Sequence, residues 1–128
     1  MIQRMFFNVL SKDVAASKAF YVNLLDMKVH FDSDWFVILK PQGDNPFELG
    51  IVDVNHEIVP VSERASPTGC YPCFVVDDVD VVHQRALASG VEIIEPPREM
   101  FYGQKRLLIR DPDGMMVDIS SPSGPPPA

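Results

Sequence analysis

The sequence predicts an α+β fold built from two copies of a βαβββ module. Three observations carry this expectation. One order of apolar strand, capped helix and three strands occurs twice. Asp13-Val14 and Asp78-Val79 mark the same helix start in each copy, 65 residues apart. The second copy also ends in a tight turn, Asp111-Pro112-Asp113-Gly114, followed by an alternating strand.

In the first copy, Arg4 to Leu10 reads as an apolar strand. A helix is expected from Asp13 to Leu25, with Ser11 as N-cap, Asp13 in the first turn and Ala16, Phe20 and Leu24 as the buried stripe. Strands follow at Lys28 to Asp32, Trp35 to Lys40 and Phe47 to Val52, separated by Asp32-Ser33-Asp34 and Pro41 to Pro46. The second copy opens with a strand from Cys70 to Val76. Asp77 or Asp78 then caps a helix to Ser89 that buries Val79, Val82 and Ala86; Asp80 favours its N-terminal dipole and Gly90 ends it. Its remaining strands are Val91 to Glu95, Gln104 to Arg110 and Met115 to Ser120.

A chain of 128 residues suits one domain, taken as residues 1–122, with modules 1–54 and 69–122 and a polar connection at 55–68. That connection is long enough to be functional or mobile. Residues 123–128 form a Pro-rich tail, expected to be disordered or extended. No apolar run approaches the ~20 residues of a membrane span. The N-terminus lacks a basic segment and a small-residue cleavage site, so a cytoplasmic location is expected. With 18 acidic against 11 basic residues and a net charge of −7, nucleic acids and anionic membranes are disfavoured as partners.

Cys70 and Cys73 form a C-Y-P-C motif. Redox chemistry would need the first thiol at a helix N-terminus, whereas a strand places residues i and i+3 on opposite faces. The bland reading, small residues filling a strand, is preferred. The three histidines, His30, His56 and His83, do not cluster. No nucleophile elbow, phosphate loop, dinucleotide fingerprint or basic-aromatic patch is present.

The runs D-V-A-A-S-K-A-F-Y before L-L-D-M, F-V-V-D-D-V-D, and G-Q-K-R-L-L-I-R-D-P-D-G-M-M-V-D-I, in that order, resemble the vicinal oxygen chelate superfamily. Its members include glyoxalase, extradiol dioxygenases, and the fosfomycin- and bleomycin-resistance proteins. The resemblance spans Met5 to Pro122. It implies a curved mixed sheet enclosing a cleft, with helices on the outer face. It also implies four metal-ligand positions, which fall on Phe6, Glu48, Tyr71 and Asp118. Phe cannot bind a metal and Tyr is a poor ligand at neutral pH. No cofactor is therefore expected beyond a weak hard cation at Glu48 and Asp118.

If Phe6 faces the cleft, strand alternation sends Asn8 and Leu10 with it and leaves Met5, Phe7 and Val9 against helices. Tyr71 similarly brings Cys73 and Val75, leaving Cys70, Phe74 and Val76 in the core. Asp118 brings Met116 and Ser120, leaving Met115, Val117 and Ile119. Glu48, in an apolar strand, is either a pocket acid whose pKa is raised for catalysis, or a carboxylate bonded to Asn8, an Arg or solvent. Asp118 reads more readily as structurally paired. Tyr102-Gly103-Gln104 stands where the resemblance has a W-G-Q motif whose aromatic lines the cleft. Trp35 is a second candidate aromatic wall, against core or interface. Arg106 points either to the cleft or to a carboxylate.

Three functions follow from the resemblance. The first is a metal-independent binding or sequestering protein for an aromatic or cationic small molecule, contacting Phe6, Asn8, Trp35, Glu48, Tyr71, Tyr102, Arg106 and Asp118. The second is a lyase, isomerase or dioxygenase with a degenerate metal site, or with Glu48 as catalytic base. The third is a noncatalytic assembly domain. A homodimer is expected in each case.

Overall fold

The computed structural model describes residues 1–124, so the end of the Pro-rich tail lies outside the described residues. The chain divides into two compact units, the first ending at Pro67 and the second beginning at Thr68. In the first unit, β1 (Phe7–Ser11), α1 (Val14–Leu25), β2 (Lys28–Phe31), β3 (Phe36–Lys40) and β4 (Leu49–Asp53) follow in order. The second contains β5 (Cys73–Val75), α2 (Val79–Ala88), β6 (Ile93–Glu99), β7 (Gln104–Arg110) and β8 (Met116–Pro122). The predicted α+β modules are what the chain forms.

Each unit is a four-stranded mixed sheet with one helix on one face, in the orders β1-β4-β3-β2 and β5-β8-β7-β6. β1 runs parallel to β4 and β5 parallel to β8, while the remaining pairs are antiparallel. α1 packs on β3 and β4, over Val37, Leu39 and Ile51, and α2 covers Leu107, Ile109, Val117 and Ile119 in the second unit. The connecting segment stays with the first unit: Val59 is buried, and the Arg64 side chain donates to the carbonyls of Val59 and His56.

Several local expectations need correction. The N-cap of α1 is Asp13, whose carboxylate accepts from the Ala16 amide at 3.0 Å. Ser11 is instead buried, sharing a 2.7 Å hydrogen bond with the Ser17 hydroxyl. The buried stripe is accordingly Val14, Ser17, Tyr21 and Leu24; Ala16 is exposed and Phe20 half-buried. A stripe sought among apolar residues alone overlooks a serine whose hydroxyl is satisfied inside. In the second unit Asp78 is the cap and Val79, Val82 and Ala86 are buried, as predicted.

β1 begins at Phe7 rather than Arg4, and β4 at Leu49 rather than Phe47. Pro46 has no amide proton to give the ladder, and the Phe47 amide is turned onto the Asn45 side chain at 3.0 Å. Met5 and Phe7 are exposed, not packed under a helix: on the edge strand β1 the helix side is buried only further along, at Val9 and Ser11. β5 is short and Cys70 lies exposed before it. β6 runs further than predicted, through Pro96 and Pro97, which an edge strand tolerates where its register shifts.

Candidate ligand pocket

Register assigns the faces of the first sheet. Leu49, Ile51, Phe7 and Val9 share the helix side, so Asn8, Gly50 and Ile38 form one row across the opposite face. One step toward the start of β1, the same register sets Phe6, Glu48 and Lys40 side by side, with His30 on the neighbouring β2. This row forms the floor of a pocket of about 710 Å³, to which Arg4, Met5 and Phe47 also contribute.

Glu48 stands just before β4 and not within it, and its side chain is only 3% exposed. Arg4 grips it with both ends of the guanidinium fork: Nε donates to Oε2 at 2.7 Å and Nη2 to Oε1 at 2.5 Å. The same guanidinium lies over the Phe6 ring, 4.9 Å from its centroid. The Arg4 hydrogen bond is the largest influence on Glu48, and with the charges of Arg4, Lys40 and His30 it outweighs burial and lowers the carboxyl pKa. Of the two readings open for Glu48, a pocket acid with a raised pKa and a carboxylate bonded to an Arg, the geometry matches the second. A carboxylate kept ionised with both oxygens engaged is a poor proton acceptor, so the paired alternative describes Glu48 better than the catalytic one.

The aromatic residues of this face form a chain. Phe6 lies 6.3 Å from Phe36, and Phe36 5.8 Å from Phe31. Trp35 precedes β3 with the parity of Val37 and Leu39; its ring touches Phe36 at 5.5 Å and stacks on His56 of the connecting segment at 3.9 Å and 15°. The structure thus joins Phe6, Asn8 and Glu48 on one face, while Trp35 reaches that chain through Phe36 and does not line the pocket.

In the second unit, Cys73 pairs with Asp118, Leu108 with Asp118, and Arg106 with Ser120. Asp118 is buried and accepts a 2.7 Å hydrogen bond from the Ser120 hydroxyl. Burial first, then the charge and hydrogen bond of Asp118, push the Cys73 thiol pKa up. Arg106 meets Glu95 at 3.3 Å, and Glu95 also takes Arg98 at 2.8 Å. Burial opposes the Arg106 charge, but Glu95 more than offsets it and the pKa rises. The Nε of Arg106 and the Oε1 of Gln104 are buried without a hydrogen-bond partner among the described residues. Tyr71 is exposed before β5, and Tyr102 sits edge-on to Phe101 in the β6–β7 turn at 5.2 Å.

Register also separates Glu48 from Asp118 as counterparts. Asn8 lies opposite Gly50 as Cys73 lies opposite Asp118, so Gly50 holds the place of Asp118 in the first sheet. Sequence reasoning missed Arg4, Lys40 and His30 at the pocket. The alternation Phe36, Ile38, Lys40 was the available signal for the lysine.

The match that assigns the family covers residues 5–119 and is to the model described as Glyoxalase/Bleomycin resistance protein/Dioxygenase superfamily. The chain belongs to that superfamily. Solved structures agree in fold. A superfamily member from Sphaerobacter thermophilus is 24% identical, with a TM-score of 0.75 over 94% of this chain and 98% of that one. A glyoxalase/bleomycin resistance protein/dioxygenase family enzyme from Burkholderia phytofirmans is 20% identical, with a TM-score of 0.76 over 92% and 98%. TioX from Micromonospora sp. ML1 is 18% identical, with a TM-score of 0.70 over 93% and 95%. No curated protein matches the chain.

The superfamily's metal donor set does not fit this chain. Phe6 offers no donor atom, Tyr71 is a poor one, and both Glu48 oxygens are bonded to Arg4. Among the described residues, no three His, Cys, Asp or Glu side chains group to hold an ion, and no helix is long and apolar enough to cross a membrane.

Proposed function

We propose that this superfamily member binds a small aromatic compound in the pocket of its first unit, without a metal. The observation that supports this most is the Arg4–Glu48 pair under the Phe6 ring. It fills a superfamily ligand position with an aromatic face and spends the neighbouring carboxylate on an internal cation. The cationic ligand once expected at Glu48 loses its attraction, since Arg4 already balances that charge. Exposed Met5 and Phe47 beside the polar row give the pocket the mixed lining of a small-molecule site. The protein acts as a cytoplasmic homodimer in this reading.

A fluorescence titration with N-phenyl-1-naphthylamine tests it. Saturable binding is expected, unchanged by chelator and weakened about tenfold by Phe6→Ala, the loss of one well-buried aromatic contact. Absence of saturable binding, or a requirement for added divalent metal, sinks the proposal. Light scattering checks the dimer; a concentration-independent monomer removes it.

A further inference from the structure

The lining of the pocket in the first unit has a charge balance opposite to that of the chain. The whole sequence carries 18 acidic and 11 Lys and Arg residues, yet the pocket is lined by Arg4, His30 and Lys40 against a single carboxylate, Glu48. That carboxylate is not available to a ligand, because Arg4 holds both of its oxygens. Arg4 and Glu48 therefore cancel, and the remaining charge of the lining is basic.

Lys40 and His30 are differently placed. Neither the Lys40 ammonium nor the His30 ring makes a hydrogen bond or ion pair among the described residues. By contrast Lys18, Lys105, Arg98, Arg106 and Arg110 all pair with carboxylates. Lys40 ends β3 in line with Glu48 and is half-buried; the nearest carboxylate, Glu48, has both oxygens held by Arg4, so no carboxylate is bonded to the Lys40 ammonium. A basic side chain held that way beside apolar surface lowers its energy by receiving an anion. The apolar surface is supplied by Phe6, Phe7 and Phe47, the last 71% exposed.

We infer that the ligand of this pocket is an aromatic acid: an apolar ring body lying against Phe6 and Phe47, with one anionic head group, of the carboxylate class, received by Lys40 and His30. This rests on the proposed binding role and names the ligand class that role serves.

Three naphthalenes of similar size separate the two claims: 2-naphthoate, neutral 2-naphthamide and cationic 2-naphthylmethylammonium, titrated into the full chain by calorimetry. Naphthoate is expected to bind about tenfold more tightly than the amide, the effect of one charge-assisted hydrogen bond, with the ammonium compound weakest. Lys40→Met should bring naphthoate down to the amide level, Lys40→Arg should keep most of the preference, and N-phenyl-1-naphthylamine should bind all three proteins alike. If the ammonium compound equals naphthoate, or Lys40→Met leaves the order unchanged while N-phenyl-1-naphthylamine still binds, the acid preference is overturned and the binding role survives. If none of the three naphthalenes binds saturably while N-phenyl-1-naphthylamine does, the aromatic-acid claim falls alone; if N-phenyl-1-naphthylamine also fails to bind, both fall. Matching unfolding midpoints for the two lysine variants exclude a folding defect as the cause of lost preference.

Discussion

The side-chain oxygen of Asn8 occupies the space in which a Cβ on Gly50 would stand: the two would be 1.9 Å apart, and the Phe36 ring 3.3 Å away. The residues face each other across the β1–β4 ladder, so the missing side chain of one is the room taken by the other. Gly50→Ala should therefore destabilise the first unit by about 1 kcal/mol at most, because the conflict is with the end of the exposed Asn8 side chain, which can turn away at the cost of its rotamer. Asn8→Ala in the same chain should recover most of the loss, a coupling that a double-mutant cycle measured by urea unfolding reads directly. Additive effects would mean that Asn8 is not what excludes a side chain from Gly50.

Glu48 and Arg4 predict how stability responds to acid. The folded-state carboxyl has a pKa below its ordinary value of 4.5, chiefly through the Arg4 hydrogen bond. The sign follows: the pair's contribution is complete above the ordinary value and is lost as pH falls through the lower, folded-state one. The urea midpoint of the native chain should exceed that of Glu48→Gln by a constant margin near neutrality. That margin should shrink only below about pH 4.5, the region set by the unperturbed carboxylate. A margin that closes well above this region would show a raised pKa and restore Glu48 as a candidate base.

How much of this was legible beforehand depended on where the backbone was doing the specifying. The repeat, the Asp78 cap and the buried side of β8 follow from spacing and alternation, and Met115, Val117 and Ile119 are all nearly fully buried, as alternation required. The register between strands is not written in either strand alone. That is why the motif match paired Glu48 with Asp118, whereas the ladders place Gly50 opposite Asn8 as Asp118 stands opposite Cys73. The site's charges were harder still. Arg4 and Glu48 are 44 residues apart, and nothing local to Glu48 announces a guanidinium, so its apolar neighbourhood left both a raised pKa and a pairing with an Arg open. The contribution of Lys40 was visible as parity on β3, but only after Phe36 and Ile38 were known to face away from the helix.

Cys73 and Asp118 give a chemical readout of the second unit. Both cysteines are free and exposed, but burial of its sulfur and the nearby Asp118 carboxylate raise the Cys73 pKa. Its thiolate fraction is reduced, and the thiolate is the reacting species. In iodoacetamide alkylation followed by peptide mass spectrometry, Cys73 should be modified several-fold more slowly than Cys70. Asp118→Asn should speed Cys73 without bringing it level with Cys70, since burial, the larger cause, remains. Equal rates in the native chain would contradict the arrangement.

Asp13 and Ser11 compete for the role of first helix cap, and their geometry separates them. The Asp13 carboxylate receives the Ala16 amide at 3.0 Å, while the Ser11 hydroxyl receives the Asp13 amide at 3.2 Å and is joined to Ser17. Asp13→Ala should cost about 1 kcal/mol of unfolding free energy, and Asp13→Asn should cost little, because an amide oxygen caps as well as a carboxylate. Asp78→Ala should cost a similar amount in the second unit, where the carboxylate receives the Asp80 amide at 3.0 Å. Ser11→Ala should also destabilise, but through a buried hydroxyl of Ser17 that loses a partner. Ser17→Ala added to Ser11→Ala should then cost less than it does alone, whereas Ser17→Ala added to Asp13→Ala should bring its full penalty. A cap at Ser11 would reverse the picture, with Asp13→Ala silent and the helix-start loss following Ser11 alone.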